Sequence, residues 1–296
     1  MAIESTALIS RSLEPLENRV EVLIAESRLA HGALDDPHDI EEVQLMTVLV
    51  TFDPTPAQRW SARALVGTYI TAECQFEQLP LGRDFPAWLI GILNRADPAS
   101  LCIVFSLPLV YSYETEQQIS SLLTTIRNGQ TNKLQLAVVV GLKPFVWADC
   151  ESVDGFVISN DKRVGQSALQ VFSMLMALMA PGLSAPIDAE DLRVAFGTAL
   201  LPATLASGVW LPTQSVFIHA TEADKQSIEN CRAVAFIPAC PLKISSQIEL
   251  TKAVRQYVEN DTDVVLVAPY GMSTESLLVE EIVPVLLLTA PREGKS

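Results

Sequence analysis

Length, composition and charge set broad limits on what this chain can be. Its 296 residues are enough for one large domain or two ordinary ones. A hydrophobic content of 49% with 19% charged residues supports a packed core and excludes a disordered chain. The 20 basic and 35 acidic residues give a net charge of −15. That charge repels nucleic acid and anionic lipid surfaces and favours a basic protein partner.

The cysteines and histidines lack the spacings of disulfide frameworks and metal sites. Five cysteines are an odd number, and no pair has the two-residue spacing of a zinc motif. Cys102 lies in an apolar run, where a small buried side chain is expected. The N-terminal segment carries early acids and no long apolar run, so it predicts no signal peptide. A cytoplasmic protein with no metal is expected.

The first forty residues are predicted to form a helix and a linker. Residues 1–30 place Leu13, Leu16 and Val20 on one helical stripe. The opposite face carries both signs with an acidic excess, so the helix is expected to dock on protein rather than on lipid. The polar, Gly- and Pro-bearing residues 31–39 are the linker.

Strands and helices alternate along the middle of the chain. Strands are predicted over 43–52, 101–106, 134–142 and 155–160, and helices over 55–70, 114–127 and 166–180. Continuous apolar strands that alternate with helices indicate a parallel sheet covered on both faces. The nearly all-apolar segment 166–180 predicts a buried central helix.

The last third of the chain predicts a smaller α/β unit that begins near Ser207. A helix is expected over 188–206. Further strands are predicted over 215–220, 233–239, 263–271 and 283–290, with helices over 222–228 and 246–260. The longer polar connections and fewer helices indicate a second domain.

Several motifs in this order resemble the FtsZ family, the bacterial homologues of tubulin. LQLAVVVGLKPFVWAD is similar to that family's strand ending in Lys-Pro-Phe, and VDGFVISNDKRV to its Asn-Asp-Lys turn. APGLSAPIDAEDLRVAFGTALLPATLASG resembles the family's central loop and following helix, and the strands of 231–290 keep the order of its C-terminal domain. The resemblance covers about residues 134–290.

The resemblance implies a tubulin/FtsZ-like α/β fold with three parts. After the N-terminal helix and linker of 1–40, residues 41–187 would form a degenerate GTPase-like domain. That domain has a Rossmann-like parallel sheet and includes the central buried helix. Residues 188–296 would form the smaller C-terminal α/β domain.

The same resemblance implies GTP cradled on two glycine-rich loops, and both loops depart from that chemistry here. The first reads Asp53-Pro54-Thr55-Pro56, in which two prolines remove N–H donors and Asp53 adds negative charge. The second reads LPLVYSYETE, with bulky side chains and with Glu114 and Glu116 at a helix start. The segment after Lys162 is also shorter than in the family. A dead nucleotide site, and so no cofactor, is expected.

Three acids near residue 190 have two interpretations. In the FtsZ pattern, Asp188 and Asp191 match acids that position the attacking water in the next subunit's nucleotide pocket, while Pro186 replaces the pattern's Asn. Alternatively, Asp188 is a helix N-cap, and Glu190 and Asp191 complement the helix dipole. Because the chain's own pocket is degenerate, any catalytic role of these acids is expected in trans.

Two functions from different classes follow. The first is a non-catalytic pseudo-GTPase that assembles with itself or with a filament-forming FtsZ-like homologue, in filament assembly or cell division. The second is an enzyme, a divergent GTPase of the same fold. The proline-and-acid loops favour the first. Neither nucleic-acid binding nor membrane insertion is expected.

Overall fold

The computed structural model of this protein describes most of the chain. The described residues are 19–31, 41–51, 73–80, 85–110, 113–129, 133–143, 151–159, 164–178, 189–238, 242–267 and 282–293. Within them the fold is mixed α/β, with helices packed on a central sheet. None of the helices in these ranges is long and apolar enough to cross a membrane.

The described elements alternate along most of the chain. The strands are β1 Arg19–His31, β2 Glu41–Thr51, β3 Glu73–Pro80, β4 Ser100–Ser106, β5 Leu134–Gly141, β6 Gly155–Ile158, β7 Ala203–Leu211, β8 Val216–His219, β9 Cys231–Pro238, β10 Asp263–Leu266 and β11 Val283–Pro291. The helices are α1 Phe85–Ala96, α2 Tyr113–Gly129, α3 Val164–Leu178, α4 Ala189–Arg193, α5 Glu222–Glu229 and α6 Ile244–Arg255.

All described strands belong to one 11-stranded sheet. Its order is β10-β9-β11-β7-β6-β5-β4-β2-β1-β3, and β8 pairs with β7. The central strands β2, β4, β5, β6 and the start of β7 run parallel. Their carboxyl ends therefore share one edge, called here the carboxyl edge, and their amino ends share the opposite, amino edge. Antiparallel strands flank this central part on both sides.

Helices cover both faces of the parallel strands. Side chains alternate along β4, so Phe105 packs in the core beneath α1 and α2. Val104 packs in the core beneath α3 on the opposite face. In α3 the side chains of Val171, Phe172 and Leu175 are fully buried, which confirms the predicted central helix. A third core surrounds Trp210 and includes residues of α5 and α6.

Most predicted elements are confirmed. The strands expected over 43–52, 101–106, 134–142 and 155–160 are β2, β4, β5 and β6, and the helices over 114–127 and 166–180 are α2 and α3. The elements expected between 215 and 290 correspond to β8, α5, β9, α6, β10 and β11. Strand β3 and helix α1 had no counterpart in the sequence analysis. The helix predicted over 55–70 lies outside the described residues.

The helix predicted over residues 1–30 is wrong for residues 19–30, which belong to β1, and β1 extends to His31 in the predicted linker. Val20, Val22 and Ile24 pack in one core and Leu23 in the other, which is the two-residue period of a strand. β1 pairs with β2 on one side and with β3 on the other. This pairing outweighs the helical spacing of the apolar residues. Residues 1–18 lie outside the described residues.

The helix predicted over 188–206 is wrong beyond residue 193. Residues 203–211 form β7, which pairs with β6, β8 and β11. Between α4 and β7 the chain folds back so tightly that a Cβ on Gly197 would lie 2.1 Å from the backbone nitrogen of Ala203. Because β7 pairs with both β6 and β11, one sheet runs across the domain boundary expected near residue 187. The domain division stays a prediction.

Candidate functional site

The carboxyl edge is the first place to look for a site, because ligands of open parallel α/β sheets bind there. Thr51 ends β2 and Ser106 ends β4, and these two residues are register partners with buried side chains. The Ser106 hydroxyl is among the buried polar groups that make no hydrogen bond within the described residues. Beyond it, the backbone nitrogen of Leu107 donates to the carbonyl of Val140 at 2.8 Å.

The connection from β4 to α2 presents apolar side chains to solvent. Leu109 is 43% exposed, Val110 90% and Tyr113 61%. These three residues are called here the apolar rim. A phosphate-binding loop instead uses small residues, so that backbone N–H groups can reach the anion. The composition of the rim suits contact with protein.

Glu116 lies behind the rim and is buried. The residue is 2% exposed, and its Oε2 atom accepts no hydrogen bond within the described part of the chain. Ile119 lies three residues after Glu116 and Leu123 lies seven residues after it, and both pack in the core beneath α2. Residues at these spacings share one side of a helix, so the Glu116 carboxylate points into the carboxyl-edge end of that core.

A carboxylate in this position has an energetic cost. The N-terminus of a helix stabilises a nearby anion by about 0.3–1 kcal/mol. A buried charge that lacks a partner costs several kcal/mol, so the second effect exceeds the first. A second anion such as phosphate would add repulsion to that cost. The arrangement therefore disfavours a polyphosphate at this edge.

Other residues predicted for the phosphate loops are only partly described. Glu114 belongs to the first turn of α2, but its side chain is outside the described part. Asp53, Pro54, Thr55 and Pro56 lie outside the described residues. Lys143 belongs to the Lys-Pro-Phe motif rather than to these loops; it follows β5 at the carboxyl edge and is exposed.

Asp191 lies at the opposite, amino edge of the sheet. It is exposed on α4, where Arg193 donates from Nη2 to the carbonyl of Gln135 at 2.8 Å, near the start of β5. The structure therefore does not bring Asp191 and Glu116 together. Asp188 lies outside the described residues.

Sequence reasoning missed the ion-pair cluster that anchors α4 at this edge. Asp154 pairs with Arg127 at 2.5 Å and with Arg193 at 3.3 Å. Its Oδ2 atom also accepts a hydrogen bond from the backbone nitrogen of Ala137 at 2.8 Å. The cluster ties the end of α2 and helix α4 to β5 and the start of β6. No local sequence signal links these residues, because they are distant along the chain.

Metal and thiol chemistry have no support in the described residues. No group of three or more His, Cys, Asp or Glu side chains there could hold a metal ion. Cys102 and Cys231 are buried, and burial raises the pKa of each thiol to about 12. Neither is a thiolate at neutral pH, so neither is a nucleophile. The expectation of a buried Cys102 is confirmed.

Comparisons with known proteins return structural similarity only. No family model matches the chain, and no curated protein matches it. A mutant FtsZ from M. jannaschii matches with 14% identity and a TM-score of 0.42, covering 70% of this chain and 69% of that one. An empty FtsZ dimer from M. jannaschii matches with 15% identity and a TM-score of 0.41, covering 69% and 66%. CetZ from Methanosaeta thermophila matches with 11% identity and a TM-score of 0.40, covering 71% and 66%.

Proposed function

We propose that this chain is a non-catalytic FtsZ/tubulin-like protein, a pseudo-GTPase. It would act in the cytoplasm as a structural or regulatory partner in filament assembly or cell division. The motifs of residues 134–290 supply the family resemblance. The observation that carries the loss of nucleotide binding is the buried Glu116 carboxylate at the carboxyl edge, without a partner in the described residues. A GTPase would have to hold a triphosphate beside this charge.

The amino edge is the surface proposed to meet a filament-forming homologue. Asp191 is exposed there. Val194, Leu200 and Leu201, which follow α4, are 39%, 69% and 36% exposed. Acids in this part of the FtsZ pattern complete the nucleotide site of the next subunit. A subunit with this edge and no nucleotide of its own would cap or modulate a filament rather than extend it.

A nucleotide titration tests the loss of the pocket. Calorimetry with GTP and with ATP is expected to give binding no tighter than about 1 mM, and hydrolysis of neither above background. Micromolar binding of either nucleotide would contradict the proposal and favour the divergent GTPase.

The partner role is tested with a filament-forming FtsZ homologue. Replacing Asp188 and Asp191 by Ala is expected to change the homologue's GTP turnover, while the free energy of unfolding of this chain falls by only about 1–2 kcal/mol. Asp263→Ala removes an exposed acid at the start of β10 and is the control. If the double variant unfolds more easily but leaves turnover and assembly unchanged, the two acids serve only the helix.

A further inference from the structure

We propose that the exposed side of α6 binds an acidic amphipathic helix of a different protein. Four residues of that side form the site, called here the α6 strip: Ile244, Ile248, Lys252 and Arg255. Apolar side chains of the partner would cover the two isoleucines, and its carboxylates would pair with the two basic residues. The inference goes beyond the proposed function, because the α6 strip belongs neither to the apolar rim nor to the surface around Asp191.

The first step is the division of α6 into a buried and an exposed side. The buried side includes Leu250 and Val254, which pack in the core around Trp210. Ile244 and Ile248 belong to none of the three cores and are 50% and 51% exposed. Because they are four residues apart, the two isoleucines lie one above the other on the helix surface. They form an apolar surface that a second helix can cover.

The second step is the charge that continues this surface. Lys252 follows Ile248 by four residues and Arg255 follows Lys252 by three, so both lie on the same side of α6, and both are exposed. The Nη1 atom of Arg255 donates to the carbonyl of Thr262 at 2.8 Å, which holds the guanidinium at the end of the helix. Glu249 follows Ile248 directly and therefore lies about 100° around the helix, beside the strip.

The third step is the kind of partner that this charge selects. The whole chain carries 35 acidic and 20 basic residues, whereas the α6 strip carries two basic residues and no acid. At physiological ionic strength, charges more than about 8 Å away are screened, so a small acidic partner responds mainly to the strip. An anionic membrane or a second copy instead meets the net charge of −15 over a wide area and is repelled. Charge complementarity therefore favours an acidic helix.

The direct test uses a designed peptide, acetyl-Glu-Ala-Ala-Gln-Glu-Ala-Ala-Leu-Ala-Gln-Ala-Leu-Ala-Gln-amide. Its two Glu and two Leu share one side of a helix, and antiparallel docking places the acids beside Lys252 and Arg255. The full chain carries isotope labels on its Ile methyl groups, and NMR titration at about 150 mM NaCl follows Ile244 and Ile248. Saturable binding is expected, and the same peptide with Gln in place of both Glu should bind at least about threefold more weakly.

Charge reversal in the protein separates the ion pairs from the helix propensity of the peptide. Lys252→Glu is expected to weaken the Glu peptide about fivefold and to leave the Gln peptide unchanged. Arg95→Glu changes the net charge by the same amount at an exposed position in the last turn of α1, and should change neither affinity. Equal affinity of the wild type and Lys252→Glu for the Glu peptide would overturn the inference.

The apolar half of the strip is tested separately. Ile248→Ser is expected to weaken the Glu and Gln peptides alike, by about fivefold, because both bury this side chain. Val110→Ser, which removes a 90% exposed apolar side chain from the connection before α2, should weaken neither. If Ile248→Ser leaves both affinities unchanged, the peptides do not cover the isoleucines and the inference fails.

Three further outcomes would also contradict the inference. If a peptide with Lys in place of both Glu binds most tightly, the net charge of the chain decides binding. A dimer in sedimentation that Lys252→Glu dissociates would place a second copy on α6. Binding to phosphatidylserine vesicles that Ile248→Ser abolishes would place a membrane there.

The inference and the proposed function can fail independently. If the Glu peptide does not bind, the inference fails while the pseudo-GTPase proposal stands. Micromolar GTP binding would contradict that proposal and leave the α6 strip as an acidic-helix site.

Discussion

The fold buries two carboxylates, Asp154 and Glu116, which differ in whether their charge is compensated. The Asp154 side chain is 11% exposed and meets two arginines, so its charge is compensated and the cluster holds α4 in place. Glu116 is more deeply buried and lacks a partner for Oε2 among the described residues. The first arrangement stabilises the protein and the second costs stability. We therefore interpret Asp154 as structural and Glu116 as an uncompensated acid beside the carboxyl edge.

The two buried thiols lead to a prediction of how the free energy of unfolding depends on pH. Burial raises the pKa of Cys102 and Cys231 from an ordinary value near 9 to about 12. The folded state then holds these protons more tightly than the unfolded chain. The resulting stability is fully present below pH 9 and is lost as the pH rises toward 12. Within that window each thiol should steepen the decline in unfolding free energy by about 1.4 kcal/mol per pH unit.

Urea unfolding of the wild type and of the Cys102→Ala, Cys231→Ala double variant measures this difference between pH 8 and pH 10.5. The cavities left by the substitutions lower stability equally at every pH, so only the slope reports the thiols. Parallel pH profiles would show that these thiols ionise as easily in the folded protein as in the unfolded chain.

At the scale of elements, the turn between α4 and β7 depends on Gly197. A Cβ there would lie 2.1 Å from the nitrogen of Ala203 and 2.2 Å from the carbonyl oxygen of Leu201, both backbone atoms that side-chain movement cannot relieve. The same glycine accepts a hydrogen bond from the backbone nitrogen of Phe156 in β6 at 3.1 Å. The turn therefore fixes β7 beside β6, where two pairs of the described residues join the strands.

Gly197→Ala is expected to lower the free energy of unfolding by more than about 3 kcal/mol. Gly129→Ala is the matched control, because a Cβ at the end of α2 meets no atom within 4 Å. It should change stability by less than about 1 kcal/mol, and toward greater stability. Chemical denaturation of both variants measures the contrast, and equal losses would mean that the turn between α4 and β7 accommodates a side chain.

At the scale of the whole molecule, the net charge of −15 predicts self-repulsion in the folded state. Raising NaCl from 10 to 200 mM shortens the screening length from about 30 Å to less than 10 Å and weakens that repulsion. Tm at pH 7 is therefore expected to rise over this range. Near pH 4.6, the isoelectric point of the sequence, the rise should disappear. A fall in Tm with salt at pH 7 would mean that attractive pairs such as Arg292–Asp261 outweigh the repulsion.

Elements with a local signal could be predicted from the sequence alone. The runs that form β4, β5 and α3 are mostly apolar, so burial on both sides is expected from their composition. The acid at the start of α2 was likewise visible in the sequence, together with its conflict with phosphate binding. The FtsZ-like motifs after residue 134 suggested the order of the later strands.

Features that depend on pairing between distant residues became visible only in the folded structure. Residues 19–31 became a strand because β2 and β3 lie on either side of them, and an apolar spacing compatible with a helix gave no sign of those neighbours. Asp154 pairs with Arg127 and Arg193 because the sheet brings the end of α2 and helix α4 to one edge. Glu116 was recognisable as an acid at a helix start, but only the packing of α2 on the sheet decided that it is buried. Local periodicity is a property of neighbouring residues, whereas burial and ion pairing depend on which remote segments the fold places side by side.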